Sequence, residues 1–69
     1  MKIDYDAKRD LLYVNLAPED TKSHRTETIA PGVLVDFDRD GKVIGIEFLE
    51  ASTVIGANPR LEVALRPAS

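Results

Sequence analysis

The sequence predicts an α+β domain, mainly antiparallel β: a meander of about five strands with a short C-terminal helix. Three observations predict it. Apolar and polar residues alternate through most of the chain up to Leu49, the period of half-buried strands. The turn dipeptides Pro31-Gly32 and Asp40-Gly41 fall between alternating runs. After Asn58-Pro59 the apolar spacing changes to i, i+3, i+4, which suits a helix.

The first strand covers residues 2–6, with Ile3 and Tyr5 on one face and Asp4 on the other. The second covers 11–16, where Leu12, Val14 and Leu16 oppose Leu11, Tyr13 and Asn15. Pairing Tyr5 with Leu12 and Ile3 with Val14 joins the two apolar rows into a hairpin across residues 7–10. The polar segment APEDTKSH is a loop. A weaker strand, RTETIA, spans 25–30, and Pro31-Gly32 suits the centre of a type II turn. Strands 33–38 and 42–49 then flank Asp40-Gly41. Asn58 and Pro59 read as N-cap and first helical position for a helix over 59–66, with Leu61, Ala64 and Leu65 on one side and Pro67 ending it. LEVAL also alternates, so a short last strand stays open.

The segment DFDRDGKVIGIE, residues 36–47, fits a calcium-loop pattern through Asp36, Asp38, Asp40, Gly41 and Glu47. Its flanks oppose that reading. A calcium loop is framed by two helices, whereas PGVLV and the run after Gly45 are β-type, and Ile44 takes the ninth position. A hairpin pairs Phe37 with Ile44, Val35 with Ile46 and Val33 with Phe48, whether its loop holds two residues or four. Large apolar side chains then share one face, which a one-residue slip would scatter. Asp36, Asp38 and Glu47 point to the other face, with Asp36 opposite Gly45 and diagonal to Glu47. They remain the one conceivable weak cation site, and a solvated acidic face is the plainer reading.

Bulk composition narrows the function classes. Sixty-nine residues make one domain with a thin stability margin. With no cysteine there is no disulfide, thiolate metal site or cysteine nucleophile, and a cytoplasmic setting is expected. No apolar run approaches a bilayer span, and the first residues alternate where a signal peptide would be apolar. A net charge of -3 disfavours nucleic acid, whose phosphates call for Lys and Arg.

Tyr5-Asp6, Asp10, Leu12-Tyr13-Val14, Gly32-Val33, Asp36, Asp38, Gly41, Val43-Ile44-Gly45-Ile46-Glu47 and Glu50-Ala51-Ser52 occur in order. Together they resemble the domain-of-unknown-function 2283 family of small bacterial and archaeal proteins. The resemblance covers residues 1–53 and leaves 54–69 as an extension of a single domain, 1–69. It departs at Lys8-Arg9, Leu11 and Glu50. It implies a compact β-rich domain and no activity, substrate or cofactor.

No catalytic constellation is legible. His24 lies in a polar loop, and Ser52 and Thr53 have no partnered base in sequence. Asp6 and Asp10 flank a loop holding Lys8 and Arg9, so local turn bonds and ion pairs account for them. Tyr13 falls opposite Asp4 as a packed aromatic.

The informative feature is apolar area. Ile3, Tyr5, Leu12, Val14, Val35, Phe37, Ile44, Ile46 and Phe48 gather on one face, and an eight-residue helix cannot cover them. Monomers rarely expose so large a patch. The expectation is therefore a non-enzymatic interaction protein without a cofactor, acting as a homodimer or as an accessory, antitoxin-like partner of another small protein. The alternative is a weak divalent-metal-binding or hydrolytic protein using Asp36, Asp38 and Glu47.

Overall fold

The computed structural model describes residues 1–68. It contains β1 (Lys2–Asp6), β2 (Leu11–Asn15), β3 (Arg25–Ala30), β4 (Val33–Phe37), β5 (Val43–Leu49) and α1 (Ala51–Val54). The strands form one antiparallel sheet in the order β1-β2-β5-β4-β3. The mainly antiparallel fold class is as the sequence predicts.

The strand order departs from a simple meander, because β2 lies beside β5 and residues 16–24 carry the chain to the far edge. Composition explains the exchange. β3 is RTETIA and exposed along its length, so it suits an edge whose second side faces water. β2 carries apolar or aromatic residues on both faces and is half-buried throughout, so it belongs inside the sheet. β5 becomes the central strand and supplies Ile44, one of the most buried side chains, at 6% exposure.

The register creates six cross-sheet rows, one of them the short Arg25–Phe37–Val43 beside a bulge. On one face run Ile3–Val14–Ile46–Val35–Glu27 and Tyr5–Leu12–Phe48–Val33. On the other run Lys2–Asn15–Gly45–Asp36–Thr26, Asp4–Tyr13–Glu47–Leu34–Thr28 and Asp6–Leu11–Leu49. The predicted pairs Ile3–Val14, Tyr5–Leu12, Val35–Ile46, Val33–Phe48 and Asp36–Gly45 are all present.

Phe37, however, pairs with Val43 and not with Ile44. The loop holds three residues, not two or four. Asp38 N–H donates to the Lys42 carbonyl at 2.9 Å and Gly41 N–H to the Asp38 carbonyl at 3.1 Å. Gly41 adopts φ 83°, the left-handed residue that ends such a turn. Three residues alone would invert the parity of β5, and a bulge between Asp36 and Phe37 restores it.

The helix expected over 59–66 is absent, and residues 58–68 carry no helix or strand. A helix of that length cannot offset its nucleation cost without a surface against its apolar side. Leu61, Val63 and Leu65 instead stand exposed at 69%, 62% and 91%. The helix forms earlier, directly after β5. Glu50 turns the chain with φ 50°, and Asp10 then receives the helix's first free amides, as described next.

Candidate functional site

Among the described residues only Val35, Ile44, Gly45 and Ala51 are buried. The predicted interaction face is therefore assembled but open. Leu12, Val14, Phe37, Ile46 and Phe48 are half-buried beside Val35 and Ile44, while Ile3 and Tyr5 are exposed at the β1 edge. At the opposite edge the face ends in charge. Arg25 stacks its guanidinium 4.3 Å from the Phe37 ring centre and approaches Glu27 at 3.5 Å. Charges on the apolar side of an edge strand, together with the irregularity between Thr28 and Ala30, blunt that edge against further pairing. β1 has neither protection: its apolar side carries Ile3 and Tyr5, and its register is regular.

At the end of the face near α1, a cleft of about 200 Å³ is lined by Tyr5, Leu12, Ala51, Ile55, Ala57 and Pro59, among others. Two of its lining residues, Tyr5 and Ser52, are tied together by Asp10. The Tyr5 hydroxyl donates to Asp10 Oδ1 at 2.8 Å, the Ser52 amide to Oδ1 at 3.0 Å and the Ser52 hydroxyl to Oδ2 at 2.6 Å. Ala51 N–H donates to the Asp10 carbonyl at 2.9 Å. One residue of the first hairpin thus satisfies two orphan amides of α1 and fixes the helix on the sheet. The Ser52 hydroxyl, then the Tyr5 hydroxyl, then the Ser52 amide hold the Asp10 carboxyl below its ordinary range. The bond to Asp10 correspondingly raises the Tyr5 hydroxyl above its own.

Asp10 is the residue that sequence reasoning misassigned. Asp6 does make the expected local bonds, to the amides of Lys8 and Arg9 and to the Arg9 side chain at 3.9 Å. Asp10 reaches across the fold instead. The available signal was the co-occurrence of Tyr5, Asp10 and Ser52 among the family anchors.

On the second face, Tyr13 crosses β5. Its hydroxyl donates to Asp36 Oδ2 at 3.0 Å, and Thr26 Oγ1 donates to Asp36 Oδ1. The phenol lies directly over Gly45, where an added Cβ would stand 1.9 Å from the hydroxyl. Burial first, then the Asp36 bond and the Asp36 and Glu47 charges, raise the Tyr13 hydroxyl above its ordinary value.

The three candidate cation ligands are thereby separated in role. Both Asp36 oxygens accept hydroxyls. Asp38 Oδ1 accepts the amides of Asp40 and Lys42, each at 2.9 Å, and so organises the turn. Glu47 lines a shallow depression with Asp4, Asp6 and Tyr13. Among the described residues, no group of three or more His, Cys, Asp or Glu stands close enough to hold a metal ion. No helix among them is long and apolar enough to cross a membrane.

A five-stranded antiparallel sheet with one open apolar face, clasped to a single helical turn through a tyrosine, an aspartate and a serine, defines a small β-sheet module. The family model described as "Protein of unknown function (DUF2283)" matches residues 2–52, and the chain belongs to that family. An uncharacterized protein of Methanocaldococcus jannaschii is 41% identical over 58 residues, which are 84% of this chain and 47% of that protein. The chain thus spans about half the length of this relative. No solved structure matches the chain.

Proposed function

We propose that this protein is a non-enzymatic interaction module that pairs with a second copy of itself through the open sheet face. One observation carries the reading. The chain exposes 5776 Å², whereas compact monomers of 7.6 kDa expose about 4,300 Å² on the usual size scaling. The excess, about 1,500 Å², exceeds the roughly 800 Å² that each partner contributes to a stable interface. The radius of gyration, 13.3 Å, is likewise above the roughly 11 Å expected for this length. Two features stand open: the face formed by Ile3, Tyr5, Leu12, Val14, Phe37, Ile46 and Phe48 around the buried Val35 and Ile44, and residues 57–68.

The cation reading draws less support, because both Asp36 oxygens and Asp38 Oδ1 already accept from protein donors. Binding to another small protein, as an accessory or antitoxin-like partner, would use the same face.

Size-exclusion chromatography with light scattering tests the proposal. The expected mass is twice that of one chain at micromolar concentration. Ile3→Lys, at an edge position already 38% exposed, should shift the equilibrium to monomer while circular dichroism stays that of a folded sheet. A native chain that remains monomeric at millimolar concentration refutes the reading.

A further inference from the structure

We infer that the C-terminal arm, residues 62–66, adds to the β1 edge of the second copy as a sixth, parallel strand. This rests on the self-association just proposed and identifies what completes its edge.

The arm has the pattern of a strand but no partner. Val63 and Leu65 point one way and Glu62, Ala64 and Arg66 the other in any extended conformation, and residues 58–68 lie in no helix or strand among the described residues. β1 is the complementary edge, since β3 is blunted by Arg25, Glu27 and its bulge. Charge selects the register. Placing 62–66 parallel to 2–6 sets Glu62 beside Lys2 and Arg66 beside Asp6. It also sets Val63 beside Ile3 and Leu65 beside Tyr5, extending both apolar rows by one strand. The antiparallel register that keeps Leu65 with Ile3 and Val63 with Tyr5 sets Arg66 against Lys2 and Glu62 against Asp6. Like charges directly opposite are destabilising.

The direction requires a second chain. Pro59 and Tyr5 line the same cleft, so the arm leaves the sheet at the end where β1 finishes. To run parallel to its own β1 it would have to return to Lys2 and reverse within Arg60 and Leu61. At about 3.3 Å per residue the three steps from Pro59 to Glu62 only equal the three-step span from Tyr5 to Lys2, with nothing left for a turn. A neighbouring copy removes the constraint, and reciprocal exchange of two arms closes a two-fold dimer. The cleft itself, at about 200 Å³, is smaller than the roughly 300–1,000 Å³ typical of small-molecule sites. Among the described residues the arm's one side-chain tie is the exposed Arg60–Glu62 pair at 2.7 Å, and such pairs are weak.

The chain has no cysteine of its own, so engineered ones report pairing directly. Equal amounts of Ile3→Cys and Val63→Cys chains, differing in mass by a tag, are mixed and oxidised. A disulfide heterodimer is expected, with little cross-linking of either variant alone. The full-length double variant Val63→Asp/Leu65→Asp should weaken the dimer at least tenfold by sedimentation. Arg66→Glu should weaken it about two- to tenfold and regain most of that when combined with Asp6→Arg. Absence of the heterodimer overturns the arm exchange. So does a monomeric intramolecular disulfide in a chain carrying both cysteines. A double aspartate variant that dimerises as tightly as the native chain removes the arm but leaves self-association standing. A monomeric native chain removes both.

Discussion

Replacing Gly45 by alanine should unfold this protein more readily than any other single-methyl addition to the sheet. The added Cβ would lie 1.9 Å from the Tyr13 hydroxyl and 2.5 Å from its Cζ. Contacts below 3.0 Å do not persist, so the ring must retreat by about 1 Å or more. Overpacking of this kind costs about 1–3 kcal/mol. Retreat also breaks the Tyr13–Asp36 hydrogen bond, and a bond to a charged group contributes about 1.5–3 kcal/mol. The site is partly wetted and Asp36 keeps Thr26, so the lower end applies. A total near 2.5–4.5 kcal/mol is expected, from a stability of about 3–10 kcal/mol for 69 residues. Urea denaturation followed by circular dichroism, at one fixed chain concentration, measures it. The decisive comparison is the same change in a Tyr13→Ala background. There the clash is gone, and alanine should be neutral or stabilising by up to about 1 kcal/mol, because glycine weakens a strand interior. The coupling between the two positions should therefore reach about 2.5–5.5 kcal/mol. A cost under about 0.5 kcal/mol, or equal costs in both backgrounds, would show that Tyr13 does not lie across Gly45.

Four further outcomes follow from the same geometry. The Asp10 carboxyl is held low by Ser52 and Tyr5. Its contribution is therefore present above the unfolded carboxyl pKa and lost as pH falls through the folded one; Asp10→Asn should be less stable at neutral pH and lack that acid limb in urea titrations. Tyr5 and Tyr13 are both raised, so ultraviolet titration should place both tyrosinate midpoints above the ordinary 10.0. Their contribution is full below the unfolded value and lost as pH rises through the folded ones, and a midpoint at or below 10 for either would contradict its bond. Asp38→Ala removes the acceptor for two turn amides and should cost about 1–2 kcal/mol. Millimolar calcium should leave the amide resonances of residues 36–47 unmoved, and shifts there would revive the cation reading.

The element types and most of the register were legible because the side-chain period of a strand is two. Val33, Val35, Ile46 and Phe48 could share a face in only one parity. The local turn was less legible. Three-residue and four-residue loops draw on the same residues, and only the hydrogen bonds of Asp38 and Gly41 distinguish them. The bulge then hid the error, since it restored the parity that the wrong loop had assumed. The helix was misplaced for a different reason. Asn58-Pro59 is a sound local start, but an eight-residue helix needs a surface to bury against. Ala51–Val54 has one, through Asp10, forty-two residues from Ser52 in sequence.

By itself, the sequence determined that this chain builds an antiparallel sheet with one apolar face, no cysteine chemistry and a hairpin in place of a calcium loop. These are properties of period, composition and turn residues, which act over a few positions. Only the tertiary structure decided that β5 lies between β2 and β4, and that Asp10 clasps the helix. It also decided that Tyr13 spans Gly45 to reach Asp36, and that β1 is left as the unprotected edge. Each of those depends on which strands become neighbours, and neighbours are chosen by burying two-faced strands such as β2 inside and leaving RTETIA at the rim.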